Sequence, residues 1–235
     1  MKNNINTLDF LKTNNYWGRG IIVGSTTVET VVAYFIMGRS ENSRNRYFYR
    51  EKGDVAIAPF DMNKVEDPSL IMYYPIKLRQ NKLIITNGAQ TDTIAEYIEK
   101  GLSFEAALRT RTFEPDKPHY TPRISSFVNL ADNNYTMSIL KSADDSGVHC
   151  ERHFYEYEPQ PMVGRFVHTY EGDGNPLPTF KGDPKLLSIP DTIDKFTETI
   201  WNNLDNDNKI SLCTMYINNQ TKEVSGRILN KRMGD

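Results

Sequence analysis

Seven consecutive apolar residues, Val31-Val32-Ala33-Tyr34-Phe35-Ile36-Met37, stand directly before a stretch dense in guanidinium and amide groups, Gly38-Arg39-Ser40-Glu41-Asn42-Ser43-Arg44-Asn45-Arg46. The apolar run reads as a buried strand, so the fold must supply cover for it. The donors that follow sit at the strand's end. Arginine's planar fork suits phosphate or carboxylate, and it does not lose its proton. The segment is therefore a candidate holder of an oxygen-rich anion. A solvated charged turn is the plainer alternative.

Before this run, Tyr16-Trp17-Gly18-Arg19-Gly20 leads into Ile21–Gly24, and the two apolar segments form a first hairpin. Val55–Ala58, residues 69–78 and Lys82–Thr86 read as further strands, with Asn81 in the turn between the last two. Two helices follow. The first begins at Thr91 or Asp92, either of which can cap it, carries Ile94, Tyr97 and Ile98 on one face and ends before Gly101. The second starts after Ser103. Pro115, Pro118 and Pro122 then impose extended structure. Further strands are expected over Ile124–Val128, Tyr135–Lys141, Arg152–Tyr157, Arg165–Tyr170 and Ile210–Ile217, with a helix capped by Asp191 before the last. Residues 1–15 read as a disordered or frayed arm and the tail from Asn218 as loose. Residues 16–235 contain no linker and read as one α+β domain, with two mostly antiparallel sheets packed together and covered by helices.

The formal net charge of −2 gives no general attraction to nucleic acid or to an anionic membrane, so any anion site must be local. Cys150 and Cys213 have no CxxC spacing, which points to neither a disulfide framework nor a zinc site. No apolar run approaches the roughly 20 residues of a membrane span. The polar first fifteen residues lack a signal-peptide core. The expected setting is the cytoplasm, with no membrane partner and no nucleic-acid partner.

Three further segments carry candidate chemistry. Thr86-Asn87-Gly88-Ala89-Gln90-Thr91-Asp92 passes from a strand through a glycine turn into a helix start, where free amides bind anions; a simple turn and cap would use the same residues. Phe113-Glu114-Pro115-Asp116 and Tyr120-Thr121-Pro122-Arg123 form a proline-stiffened loop with a carboxylate pair and an arginine, suited to accurate placement. Met72-Tyr73-Tyr74-Pro75 is expected in a strand, with the two phenols on opposite sides. The acidic spacing of His168–Pro176 does not fit a calcium loop, and His149, Cys150 and His153 lack a fourth metal ligand.

In order and approximate spacing, Tyr16–Arg19, Gly38–Arg46, Asp67-Pro68 before Tyr73, Thr86–Ile94, Phe113-Glu114 and Thr121–Ile124 resemble the archaeal-type IMP cyclohydrolase family. The part from about Tyr135 resembles its longer bacterial members. The resemblance implies a four-layer αββα sandwich like that of the amino-terminal-nucleophile (Ntn) hydrolases, used without an amino-terminal nucleophile. It also implies ring closure of the purine precursor 5-formamidoimidazole-4-carboxamide ribonucleotide to inosine monophosphate, with loss of water and neither cofactor nor metal. On the family's motifs, Arg46, Tyr73 and Glu114 correspond to catalytic residues. Arg19, Arg39, Ser40, Asn45, Asn87, Thr91, Asp92 and Arg123 are candidates for substrate contacts, with Arg39 and Arg123 foremost for the phosphate. A homo-oligomer is compatible with such sheets. Two other readings use the same residues: a non-enzymatic purine-nucleotide binding protein, and an amide hydrolase on the same scaffold.

Overall fold

The structure is a computed structural model that describes residues 5–65, 68 and 71–233. Its elements in chain order are β1 (Arg19–Ser25), β2 (Glu29–Met37), α1 (Glu41–Arg44), β3 (Tyr47–Glu51), β4 (Asp54–Ala58), β5 (Ile76–Arg79) and β6 (Lys82–Thr86). Then come α2 (Gln90–Glu99), α3 (Phe104–Arg109), β7 (Arg123–Asn129), β8 (Tyr135–Ser142), β9 (Cys150–Tyr157), β10 (Val163–His168) and β11 (Lys185–Ser188). The chain closes with α4 (Ile193–Asn203), β12 (Lys209–Asn218) and β13 (Val224–Asn230). The strands form two antiparallel sheets, a six-stranded one in the order β11-β10-β1-β2-β12-β13 and a seven-stranded one running β3 to β9 in sequence.

Strand periodicity explains why β2 is apolar throughout. Val32, Tyr34 and Ile36 face the second sheet, while Val31, Ala33, Phe35 and Met37 face the other way, toward Phe196 and Ile200 of α4. Both faces are sealed, so alternation is absent from the sequence. In the second sheet, Leu83 and Ile85 of β6 point into the shared core. Ile84 points outward to Ile94 of α2 and to Phe104 and Leu108 of α3. The layers are thus helix, sheet, sheet, helix, the αββα sandwich that the family resemblance implied. Burying one large apolar side chain in such a core is worth about 1.5–3 kcal/mol, and the core between the sheets draws on strands from both. No helix among the described residues is long and apolar enough to cross a membrane.

Several local expectations are corrected. Within the arm expected to fray, Leu8–Thr13 is a 3-10 helix with Leu8 and Leu11 buried, and Trp17 donates its indole N–H to the Leu11 carbonyl at 2.8 Å. The start of the arm, residues 1–4, lies outside the described residues, as do Asp67 of the Asp-Pro motif and position 69, where a strand was expected to begin. That strand is confined to Ile76–Arg79, and Tyr73 and Tyr74 precede it in irregular backbone. The cap of α2 is not Thr91 or Asp92, because the helix starts at Gln90 behind Ala89. Thr192, not Asp191, caps α4. The tail expected to be loose contains β13. Asn230 ties that strand to the opposite sheet: its amide donates to the Phe48 carbonyl at 3.0 Å and accepts from the Phe48 N–H at 2.9 Å.

Candidate functional site

The end of the sandwich where β2 and β6 finish and β1 and β7 begin collects the charged groups. Arg19 opens β1, and its placement depends on Gly18, whose φ of +72° favours glycine. A Cβ there would lie 2.2 Å from Thr169 Oγ1 and 2.5 Å from the Tyr170 ring. The Arg19 N–H donates to Thr169 Oγ1 at 3.1 Å, which pins the strand's first residue.

The loop between β2 and β3 delivers Arg46. Ser40 and Ser43 form a reciprocal capping box around the single turn of α1. Asn45 exchanges hydrogen bonds with the backbone of Asp61, donating to its carbonyl at 2.6 Å and accepting from its N–H at 2.9 Å. These bonds use up Ser40 and Asn45, which hold the loop and leave Arg46 pointing inward. Arg46 is 4% exposed; its Nε donates to the Ser43 carbonyl at 2.7 Å, while Nη1 is buried without a hydrogen-bond partner. Arg19 Nε is likewise buried and unpartnered. Buried donors are nearly always bonded, so two such guanidinium atoms together call for an acceptor.

Tyr73 reaches the same region from the segment before β5, which keeps partial ladder contacts. Its carbonyl accepts from Ile57 N–H at 3.1 Å, and the Pro75 carbonyl accepts from Thr86 N–H at 2.8 Å. The two phenols do face opposite ways. Tyr74 bonds Glu51 outside, whereas Tyr73 is buried between the sheets with its hydroxyl 2.8 Å from that of Tyr34. Burial raises the Tyr73 pKa, against the pull of Arg19 and Arg46, and raises that of Tyr34 well above the ordinary phenol value. Both are neutral O–H groups at neutral pH.

Glu114 comes from the proline-stiffened loop. Its N–H donates to the Thr121 carbonyl at 2.9 Å. The other carboxylate of the pair, Asp116, is occupied in holding the loop: it accepts from Thr121 N–H at 2.7 Å and from the Thr121 hydroxyl, which also meets Tyr170 OH at 2.5 Å. Glu114 is 5% exposed and lies 3.8 Å from Arg123. Burial pushes its carboxyl pKa up, and Arg19 and Arg123 pull it back only in part. Burial works against the charge on Arg19 too, but Glu114 foremost outweighs it and raises its pKa. Burial lowers the pKa of Arg46, as does the like charge of Arg19. Guanidiniums nonetheless remain charged. The region therefore combines three arginines, one buried carboxylate and a pair of phenols, a balance that favours an anion.

Arg123 is set by neighbours. Its Nη1 donates to Gln90 Oε1 at 2.8 Å, Gln90 donates to Asn87 Oδ1 at 3.0 Å, and Asn87 donates to the Pro122 carbonyl at 2.8 Å. Gly88 leaves room for this chain, since a Cβ would sit 2.4 Å from Arg123 Nη1. Asn87 thus acts as a buttress. Thr91 is spent on Thr86, at 2.5 Å between hydroxyls, and on the Gly88 carbonyl. Asp92 faces outward and pairs with Lys77. Arg39 lies at the edge, bonded to Asp173 and to the Gly174 carbonyl at 3.1 Å, with its guanidinium 5.2 Å from the centre of the Tyr16 ring. Among the sequence candidates, the fold brings Arg19, Arg46, Tyr73, Glu114 and Arg123 together, with Arg39 beside them. Ser40, Asn45, Asn87 and Thr91 support the geometry, and Asp92 turns away. The expectation that Asp92 contacts substrate is not met by this geometry, because the first turn of α2 aims it at Lys77.

Sequence reasoning missed Tyr34 and Tyr170, the latter stacked on Tyr16 with ring centres 5.8 Å apart. Tyr34 shares its face with Val32 and Ile36, so only its hydroxyl separates it from core residues.

Residues 16–222 match the model of a family described as IMP cyclohydrolase-like protein. The chain is 36% identical over 202 residues to the IMP cyclohydrolase of Methanococcus aeolicus, an alignment that covers 74% of this chain and 100% of that protein. It is 35% identical over 144 residues to the IMP cyclohydrolase of Methanopyrus kandleri, covering 56% and 72% of the two chains. To that of Methanocella arvoryzae it is 34% identical over 119 residues, covering 48% and 58%.

Proposed function

The chain belongs to the IMP cyclohydrolase-like protein family, and from that premise we propose that it is an IMP cyclohydrolase. It closes the second ring of 5-formamidoimidazole-4-carboxamide ribonucleotide to give inosine monophosphate in purine biosynthesis. What supports this most directly is the pair of buried, unpartnered guanidinium atoms on Arg19 and Arg46 in the same electrostatic neighbourhood as Tyr73 and Glu114. An intramolecular dehydration needs such a set: donors for a developing oxyanion, an acid and a base.

The carboxamide nitrogen attacks the formyl carbon of the same molecule. A C–N bond forms as the carbonyl π pair moves to oxygen. The site's first task is to hold that near-attack geometry. Glu114 takes one proton from the nitrogen, a role favoured by a carboxyl pKa raised toward neutrality. Arg46 and Arg19 stabilise the charge on the formyl oxygen. Tyr73 donates the proton that oxygen gains. Because Tyr34 can donate to Tyr73 in turn, the pair forms a short polarised chain. Protonated Glu114 returns its proton to the hydroxyl of the resulting carbinolamine, which leaves as water. The formamido nitrogen loses its proton to the Tyr73 phenolate as the C=N bond forms, so both side chains return to their starting states. Arg123 and Arg39 contact the phosphate end. Every step in this scheme uses side chains alone. A cytoplasmic setting and self-association belong to the same proposal.

The test is to incubate purified protein with the formamido ribonucleotide and follow formation of the inosine chromophore in wild type, Tyr73→Phe and Glu114→Gln. Wild type should exceed buffer by orders of magnitude, and each variant should lose about 10²–10⁴ in kcat. Wild-type turnover equal to buffer, with nucleotide binding retained, would leave the binding-protein reading in its place. Equal turnover in all three proteins would remove the assigned roles.

A further inference from the structure

The family match ends at residue 222, but the chain continues into β13 and a 3-10 turn over Lys231–Met233. That continuation folds back beside the loop that carries Arg46. Between them lies a cavity of about 210 Å³ whose lining includes Arg44, Arg46, Lys209, Lys231 and Arg232, with Asp207 as its carboxylate. The ring of Phe60, 37% exposed, also lines it, with Arg232 over its face at 5.7 Å.

Among the described residues, none of these five cations is in an ion pair. Their hydrogen bonds go to neutral oxygens instead. Arg44 Nε donates to the Gly38 carbonyl at 2.9 Å and Lys209 to the Trp201 carbonyl at 3.0 Å. Lys231 donates to the Asn206 carbonyl at 2.5 Å. Carbonyls orient the ammonium groups without cancelling their charge. Burial lowers the pKa of Lys209, and the like charge of Lys231 lowers it further. Gathering like charges around a concave surface is unfavourable unless an anion enters.

We propose that this cavity is a second anion site, separate from the ring-closing site, which takes an oligophosphate, either free or as the tail of a nucleoside di- or triphosphate. Five cations against one carboxylate leave four positive charges in excess. A single phosphate carries only about two negative charges at neutral pH. Two linked phosphates match the excess better, and arginine forks suit their oxygens. Lys231 and Arg232 lie beyond residue 222, so two of the five cations come from outside the span that the family model matches. Arg46 borders both sites. An occupied pocket therefore draws on a guanidinium that the ring-closing site also uses, and it weakens nucleotide binding there by a limited, saturating factor.

Calorimetric titration of the full chain with pyrophosphate, with and without saturating inosine monophosphate, tests the proposal. Pyrophosphate should bind with one equivalent in both conditions. The double variant Lys231→Ala, Arg232→Ala should weaken that binding about tenfold or more, yet leave ring closure and inosine monophosphate affinity within about twofold. Tripolyphosphate and ATP identify the source: tighter binding of ATP assigns the pocket to a nucleotide, with Phe60 beneath the base, whereas equal affinity assigns it to the free oligophosphate. Absence of binding to wild type overturns the site, as does unchanged affinity in the double variant. Full competition with inosine monophosphate also overturns it, since the cavity would then belong to the product site. Failure of the ring-closure reading would appear separately, as absent turnover and absent inosine monophosphate binding. The pyrophosphate and double-variant titrations would still decide the pocket.

Discussion

Two segments of this chain have nearly the same polar credentials, Gly38–Arg46 and Asn87–Asp92, yet the fold uses them differently. In the first, the capping box of Ser40 and Ser43 and the exchange between Asn45 and Asp61 satisfy the loop, and Arg46 is left with a buried donor to spare. In the second, the side chains of Asn87, Gln90 and Thr91 bond to their own turn, to Arg123 and to the start of β7, while Asp92 leaves for Lys77. A polar cluster becomes a candidate for chemistry when hydrogen-bonding capacity remains after the backbone has been served.

The sharpest break in this contrast is expected at Arg46. Arg46→Met should lower kcat by about 10²–10³ with the melting temperature little changed, as befits a donor to a developing oxyanion. A loss confined to stability would place Arg46 with the scaffold instead. Next in size is the acid limb of the pH profile. Glu114 must be ionised to act as base and its pKa is raised by burial, so the rate should rise with pH along a limb centred above the ordinary carboxylate value of about 4.3. Below that limb it should fall about tenfold per pH unit. A rate flat down to pH 4 in folded protein would exclude the role.

Asn87→Ala should act on stability first, at a cost of about 1–3 kcal/mol, because it strips partners from the Ile124 N–H and the Gln90 amide. Denaturant unfolding measures this. A variant of full stability with lost turnover would make Asn87 a substrate contact. The smallest effect belongs to Asp92→Asn, which should shift stability by less than about 1 kcal/mol and leave the rate and its pH limb in place.

How far the sequence could be read follows from what each element buries. β2 and β12 were legible because both of their faces are covered, which makes apolar runs. β3, β11 and β13 escaped notice because they are short or half-exposed edge strands with weak patterns. The motif points to Tyr73, but Pro75 interrupts the ladder one residue before β5 and leaves Tyr73 outside the strand. Among site residues, Arg46 and Glu114 announced themselves as charges beside turns. Tyr34 did not, because a phenol inside an apolar strand resembles its neighbours until a partner hydroxyl is seen.

The amide of Asn230 stitches the last strand of one sheet to the first strand of the other. β13 thereby shields β12, whose two faces are both apolar and which would otherwise form the border of its sheet. Stripped of that guard, an open row of peptide groups flanked by Leu212, Cys213, Met215 and Ile217 would invite neighbouring molecules to add strands. Pairing with β13 thus keeps the backbone edge of β12 closed to strands from other molecules.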